Sequence, residues 1–122
     1  MSFDEGLYDW VREALEPFGT VSMRRMMGGA TLYLDGTIFA LLDDDEIWFK
    51  ADEESNAAWD AEGCRDRFTV TFKDGTIDMM NYRRGPTDVY DDAEAMQRLA
   101  RLALEAGARR PVKRKARKKA EG

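Results

Sequence analysis

The stretch from Arg24 to Leu42 reads Arg-Arg-Met-Met-Gly-Gly-Ala-Thr-Leu-Tyr-Leu-Asp-Gly-Thr-Ile-Phe-Ala-Leu-Leu, and it determines much of the fold. Its Asp35-Gly36 pair stands between two apolar runs, which is the strongest short-range signal for a two-residue β-hairpin loop. The residues that this loop places opposite one another are Leu34 and Thr37, Tyr33 and Ile38, and Leu32 and Phe39. We therefore expect a tight hairpin here.

Strand alternation sorts the side chains of this hairpin onto two faces. One face carries Leu32, Leu34, Phe39 and Leu41; the other carries Thr31, Tyr33, Ile38, Ala40 and Leu42. Both faces are largely apolar, which is typical of a hairpin in the middle of a sheet or in contact with something on each side. We expect helices to cover one face, and Tyr33, Ile38 and Leu42 to form an interface with another chain on the second.

The remaining patterns predict a single α+β domain. Ser2 and Glu5 form a capping-box pattern before a first amphipathic helix. Asp52 is expected to cap a short helix that ends at Gly63, and Asp91 or Asp92 a last helix that ends at Gly107. Strands are expected at residues 21–26, 47–50, 68–72 and 76–82 besides the hairpin, with 83–86 as a loop. Runs of strands joined by tight turns predict a two-layer fold with a mainly antiparallel sheet, helices on one face, and the order helix, three or four strands, helix, two strands, helix.

Charge divides the chain into two parts. The chain has 19 basic and 24 acidic residues, but residues 109–122 alone have eight basic and one acidic residue. Their net charge is +7, and that of residues 1–108 is −12. We expect a domain at 1–108 and a disordered basic tail at 109–122, which either meets nucleic acid or an acidic protein or serves solubility. The predicted nucleic-acid contacts are Arg109, Arg110, Lys113, Arg114, Lys115, Arg117, Lys118 and Lys119.

Little in the sequence indicates catalysis. The chain has no histidine, which removes the commonest general base and metal ligand. Arg65 and Arg67 could lower the pKa of the single cysteine, Cys64, but no histidine is available to pair with it. Gly28-Gly29 lacks the rest of a phosphate-binding motif, so a structural turn is favoured. We expect no enzyme activity, no cofactor and no metal, and a cytoplasmic location because targeting and membrane-spanning patterns are absent.

One set of segments matches a known family. These segments are Arg25-Met26-Met27-Gly28-Gly29, Leu32-Tyr33-Leu34-Asp35-Gly36, Phe39-Ala40-Leu41, Trp48-Phe49-Lys50 with Asp52, Gly63 before Phe68, Met80-Asn81-Tyr82 before Pro86, and Asp91-Asp92. With them the chain resembles the N-terminal domain of the TfoX/Sxy family. The resemblance implies a secretion-chaperone-like α+β fold, no cofactor, and a role as a transcriptional co-activator of competence genes that acts with the cyclic-AMP receptor protein.

Two functions remain open at this point. The first is a non-enzymatic regulatory or adaptor domain that acts in transcriptional regulation. It binds protein partners, such as the transcription machinery or a second copy in a homodimer, and touches nucleic acid through its basic tail. The second is a chaperone-like or dimeric interaction module unrelated to transcription.

Overall fold

The computed structural model describes residues 4–26 and 29–109. Within them the chain forms three α-helices, six β-strands and two short 3-10 turns. The helices are α1 (Glu5–Ala14), α2 (Asn56–Ala61) and α3 (Ala93–Ala108). The strands are β1 (Val21–Met26), β2 (Gly29–Leu34), β3 (Thr37–Asp43), β4 (Glu46–Lys50), β5 (Arg67–Thr71) and β6 (Ile77–Arg84). The 3-10 turns are Glu16–Phe18 and Thr87–Tyr90.

The strands form one antiparallel sheet in the order β1-β2-β3-β4-β6-β5. The first four strands follow one another as hairpins. The chain then passes through α2, and the β5–β6 hairpin returns with β6 beside β4. The predicted α+β class and element order are confirmed, with four strands in the first run. This topology leaves β1 and β5 as the edges of the sheet.

The predicted hairpin turn is confirmed, but its register is not regular. Asp35 and Gly36 both have positive φ, 48° and 89°, as a tight two-residue turn requires. Tyr33 lies opposite Ile38 as predicted, whereas Leu32 lies opposite Ala40 instead of Phe39, because a β-bulge interrupts the pairing between Leu32 and Tyr33. One extra residue in a strand reverses the alternation of every side chain beyond it.

Because of the bulge, the residues of β3 beyond it lie on the face of the sheet opposite to the predicted one. Leu42 was expected on the face opposite the helices, but it is 1% exposed and packs in the main core with Leu32 and Phe39. Leu41 was expected in that core and instead belongs to a separate cluster on the other face. The predicted interface position of Leu42 is therefore wrong.

The helices lie on one side of the sheet. α3 crosses β3 so closely that a Cβ on Gly107 would sit 2.0 Å from the carbonyl oxygen of Ile38. The amide of Gln97 on α3 donates to the carbonyl of Ala14 at the end of α1, at 2.8 Å. On α2, the fully buried Trp59 stacks on Phe49 of β4 with ring centroids 5.6 Å apart. These contacts place the main core between helices and sheet.

Three local predictions need correction. The cap of α1 is Asp4, whose carboxylate accepts from the amides of Gly6 and Leu7, whereas Ser2 lies outside the described residues. α2 begins at Asn56, not beside Asp52, because Asp52 and Ser55 satisfy each other's amides at 2.9 Å in a turn before it. Residues 83 and 84 belong to β6, not to a loop. The predicted cap Asp92 is confirmed.

Candidate functional site

The side of the sheet opposite the helices carries a second apolar cluster, and we call this side the open face. Its buried members are Leu41, Trp48 and Tyr82, each 6–8% exposed, one from each of β3, β4 and β6. Ile38, Phe68 and Met80 are half-buried against them. Within residues 4–26 and 29–109, no helix packs on this cluster. The open face is therefore an apolar surface that the described part of the chain covers only with its own neighbouring side chains.

Aromatic rings and cations organise the open face. Trp48 meets Phe68 edge-to-face with ring centroids 5.2 Å apart, and the Arg84 guanidinium lies 4.5 Å from the centroid of Trp48. The ammonium group of Lys50 lies 5.1 Å from the ring centroid of Tyr82. Burial, with a smaller effect of Tyr33 nearby, raises the pKa of Tyr82 to about 12, so its hydroxyl stays neutral. Trp, Tyr and Arg are the residues that most often dominate binding energy in protein interfaces.

Two of the three predicted interface residues lie on the open face. Tyr33 and Ile38 are opposite each other in the β2–β3 hairpin, and both are half-buried. Leu42 points into the main core, and Leu41 takes its place on the open face. Sequence reasoning missed Trp48 and Tyr82, because their position on this face depends on β6 pairing with β4.

Arg83 and Arg84 are adjacent in sequence but serve different environments. Arg83 is completely buried. Its guanidinium donates to Asp60 at 2.9 Å, to the Cys64 carbonyl at 2.8 Å, and to Asn56 and Asn81 at 2.8 and 3.1 Å. These bonds join β6 to α2 and to the segment after it. Arg83 is thus a structural residue, and its complete burial keeps it from contacting a phosphate group.

Arg84 faces the opposite way and is 42% exposed at its side chain. It pairs with Glu46 and, at 3.3 Å, with Asp66 while covering Trp48. Two carboxylates already neutralise this guanidinium. Its geometry therefore favours a role in shaping the open face over one in binding phosphate.

Cys64 lacks the features of a reactive thiol. It is 4% exposed, and burial raises the pKa of its thiol, with Glu62 acting in the same direction. Arg83 and Arg98 lower this pKa by a smaller amount. Arg65 and Arg67, which were expected to lower it, do not contribute to the shift. A buried thiol with a raised pKa is an inert core residue at neutral pH.

The basic tail begins at the surface of the domain. Arg109, its first residue, follows the end of α3 and binds both carboxylate oxygens of Asp52, at 2.8 and 2.9 Å. It also lies 3.3 Å from Glu54. The predicted contacts Arg110, Lys113, Arg114, Lys115, Arg117, Lys118 and Lys119 lie outside the described residues.

Among the described residues, no three Cys, Asp or Glu side chains converge as metal ligands. An open cleft between α1 and β1 is lined by Asp9, Glu13 and Glu16 around Arg12. Arg12 lies 3.7 Å from Asp9, so part of this charge is paired within the helix. None of the helices within 4–26 and 29–109 has the length and apolar composition of a membrane span.

Comparison with known proteins adds a family to this geometry. The sequence profile of the TfoX N-terminal domain matches residues 13–107. The chain is also 30% identical over 98 residues to Protein Sxy of Escherichia coli (strain K12). That match covers 78% of this chain and 44% of the relative, so the chain spans less than half of that relative's length. The matched residues include every strand and most of the helical layer.

Proposed function

The chain belongs to the TfoX N-terminal domain family, and we propose that it is a non-enzymatic regulatory or adaptor domain that binds a protein partner through its open face. The observation that carries this proposal is the apolar cluster of Leu41, Trp48 and Tyr82 on the sheet side opposite the helices. Because the chain resembles competence regulators, we propose that it acts in the control of transcription in the cytoplasm.

The composition of the open face supports protein as its ligand. Tyr33 and Ile38 present half-buried apolar surface at one end, and Phe68 and Met80 do so at the other. A half-buried apolar rim around buried Trp and Tyr rings, bordered by charged residues, has the composition of a protein–protein contact. The cations above Trp48 and Tyr82 belong to Arg84 and Lys50, which can remain hydrated at the rim of such an interface.

The charge distribution supports a separate role for the basic tail. Residues 1–108 carry a net charge of −12, which repels nucleic acid, whereas residues 109–122 carry +7. Because Arg109 is held by Asp52, the residues offered to nucleic acid begin at 110. The open face would thus select the protein partner, and the basic tail would add contact with nucleic acid that does not depend on sequence.

The protein contact can be tested with a photo-reactive phenylalanine derivative placed at Tyr33. The matched control places it at Tyr8 of α1, which is equally half-buried but packs on the helical side. In native-host cells, we expect a protein partner to be crosslinked reproducibly from position 33 and not from position 8. Crosslinks from position 8 alone, or from neither position, would contradict the proposal.

The nucleic-acid contact needs a second measurement. Binding of a labelled DNA duplex is compared for the full chain and for a chain ending at Arg109, across a salt series. If all seven basic residues beyond Arg109 contact phosphates, log K falls against log salt with a slope of about −6, and the shortened chain does not bind. Equal binding by both chains would exclude the basic tail. A crosslinked partner without any DNA binding would favour the interaction module unrelated to transcription.

A further inference from the structure

The two edges of the sheet differ in their protection against further strand pairing. β1 carries Arg24 and Arg25, both exposed, and charged side chains are a common guard of edge strands. β5 has one charged residue, Arg67 at its start, followed by four uncharged residues. Within the described residues, β5 pairs with β6 on one side and with no strand on the other. The unguarded edge is thus β5.

The side chains of β5 continue the apolar surface of the open face to this edge. Phe68 contacts Trp48 edge-to-face, and Val70 lies two residues further along the same face. Phe72, just beyond the strand, is 46% exposed. On the neighbouring strand, Met79 and Ile77 lie opposite Thr69 and Thr71, on the other face of the sheet, and are 62% and 68% exposed. No other large apolar side chains in the described part of the chain reach such exposure, so the apolar exposure concentrates at this hairpin.

We propose that β5 pairs antiparallel with β5 of a second copy of this chain, joining two sheets about a two-fold axis. Side chains opposite each other in such a pair lie on the same face, so one residue of each strand lies on the axis. Pairing of all five β5 residues puts the central Thr69 there, and a shift by one residue towards the turn puts Val70 there. With Val70 on the axis, Arg67 would face Lys73 of the second copy, a like-charge pair. With Thr69 on the axis, Arg67 faces Thr71 of the second copy instead.

The Thr69 register also matches the strand to itself chemically. It puts Phe68 opposite Val70 of the second copy, an aromatic and β-branched pair of the kind that stabilises sheets. This pair extends the Trp48–Phe68 contact across the axis into the apolar cluster of the second copy. A second copy therefore fits this edge better than an arbitrary extended peptide, because the same five residues supply both sides without opposing charges.

The expected association is reversible. A pair of five-residue strands buries less surface than the roughly 1,600 Å² of a standard interface. We therefore expect a dimer that forms at concentrations of about 10–100 μM, in the range of weak interfaces. Backbone amides of β5 would be protected from hydrogen exchange more strongly at high than at low protein concentration.

The decisive experiment uses charge at the axis. Sedimentation equilibrium of the full chain is measured for the wild type, Thr69→Lys, Thr69→Glu and an equimolar mixture of the two variants. Thr69 is exposed, so both substitutions leave the fold intact, which circular dichroism and the melting temperature verify. Each variant alone places like charges opposite each other and should weaken the dimer about two- to fivefold, whereas the mixture should recover it as a Lys–Glu heterodimer. Ser22→Lys on the opposite edge is the matched control and should dimerise like the wild type.

Three results would overturn the proposal. They are a wild-type monomer throughout the concentration range, a dimer that Thr69→Lys does not weaken, and a mixture that dimerises no better than its components. The same experiment is repeated with Val70→Lys and Val70→Glu. If mixing these two variants restores the dimer more strongly than mixing the two Thr69 variants, Val70 lies on the axis and the assigned register is refuted. Partner crosslinking from Tyr33 does not depend on these outcomes, so the two proposals fail separately.

Discussion

Replacing the buried Arg83 tests whether β6 is held to α2 by the guanidinium network. Arg83→Met keeps similar volume but removes four hydrogen bonds, which go to Asn81, Asp60, the Cys64 carbonyl and Asn56. Losing a buried charge relieves desolvation, and replacing a whole ion pair by apolar groups is often neutral. Here the acceptors remain in the protein without their donor, so we expect the free energy of unfolding to fall.

The magnitude follows from which acceptors can find a new partner. Asp60 is 41% exposed at its side chain and rehydrates, and the Asn56 oxygen keeps its bond from the Asn81 amide at 2.9 Å. The Asn81 oxygen and the Cys64 carbonyl lose their donors inside the protein. Each of these two orphaned acceptors costs about 1–3 kcal/mol, so we expect Arg83→Met to lower the free energy of unfolding by about 2–6 kcal/mol.

Urea denaturation, followed by tryptophan fluorescence and circular dichroism, measures this change. Arg65→Met is the matched control, because Arg65 lies 4.0 Å from the same Asp60 but is 71% exposed, and it should change stability by less than about 0.5 kcal/mol. If Arg83→Met unfolds within about 1 kcal/mol of the wild type, the network does not hold β6, and the reasoning is refuted.

Three further predictions concern other elements. Arg109 holds the pKa of Asp52 at about 2, below its ordinary 3.8, so Asp52 stabilises the fold above pH 4 and loses that contribution as the pH falls to 2. Asp52→Asn, which keeps an acceptor for the Ser55 amide, should therefore reduce the loss of stability between pH 4 and pH 2 by about 1 kcal/mol in acid-unfolding curves. An unchanged curve would contradict the pairing. Gly107→Ala places a methyl group against the Ile38 carbonyl and should destabilise the protein by at least about 2 kcal/mol in urea titrations, whereas neutrality would mean that α3 does not approach β3 closely. Leu42→Ala should cost about 2–5 kcal/mol because it empties a core position, while Ile38→Ala on the half-buried open face should cost less than half as much; equal costs would argue against the exchanged faces.

Local signals in the sequence predicted the elements of the fold well. The Asp35-Gly36 turn, strand β1 and the Asp92 cap depend on residues close together in the chain, and all three are as predicted. The α+β class follows from the order of the elements alone. Such features need no knowledge of distant contacts, because turn chemistry and side-chain period act over a few residues.

The candidate site depended on features that act over longer distances. A single bulged residue between the β2–β3 turn and Leu42 reversed the predicted faces, and no local residue pattern marked it. Trp48 and Tyr82 meet only because β6 inserts between β4 and β5, a choice of strand order that periodicity cannot express. The prediction that Arg83 lies in a loop was wrong for the same reason. Arg83 is buried by its contacts with α2, which precedes it by some twenty residues.

The most direct test of the central claim is a transcript profile of native-host cells lacking the gene and complemented with the wild type, Ile38→Asp or Glu105→Lys at equal protein levels. Ile38 lies on the open face, and Glu105 is exposed on α3, on the opposite side of the domain. If the open face recruits a partner in transcription, the wild type and Glu105→Lys restore the same set of transcripts, and Ile38→Asp does not. Full restoration by Ile38→Asp would contradict the account.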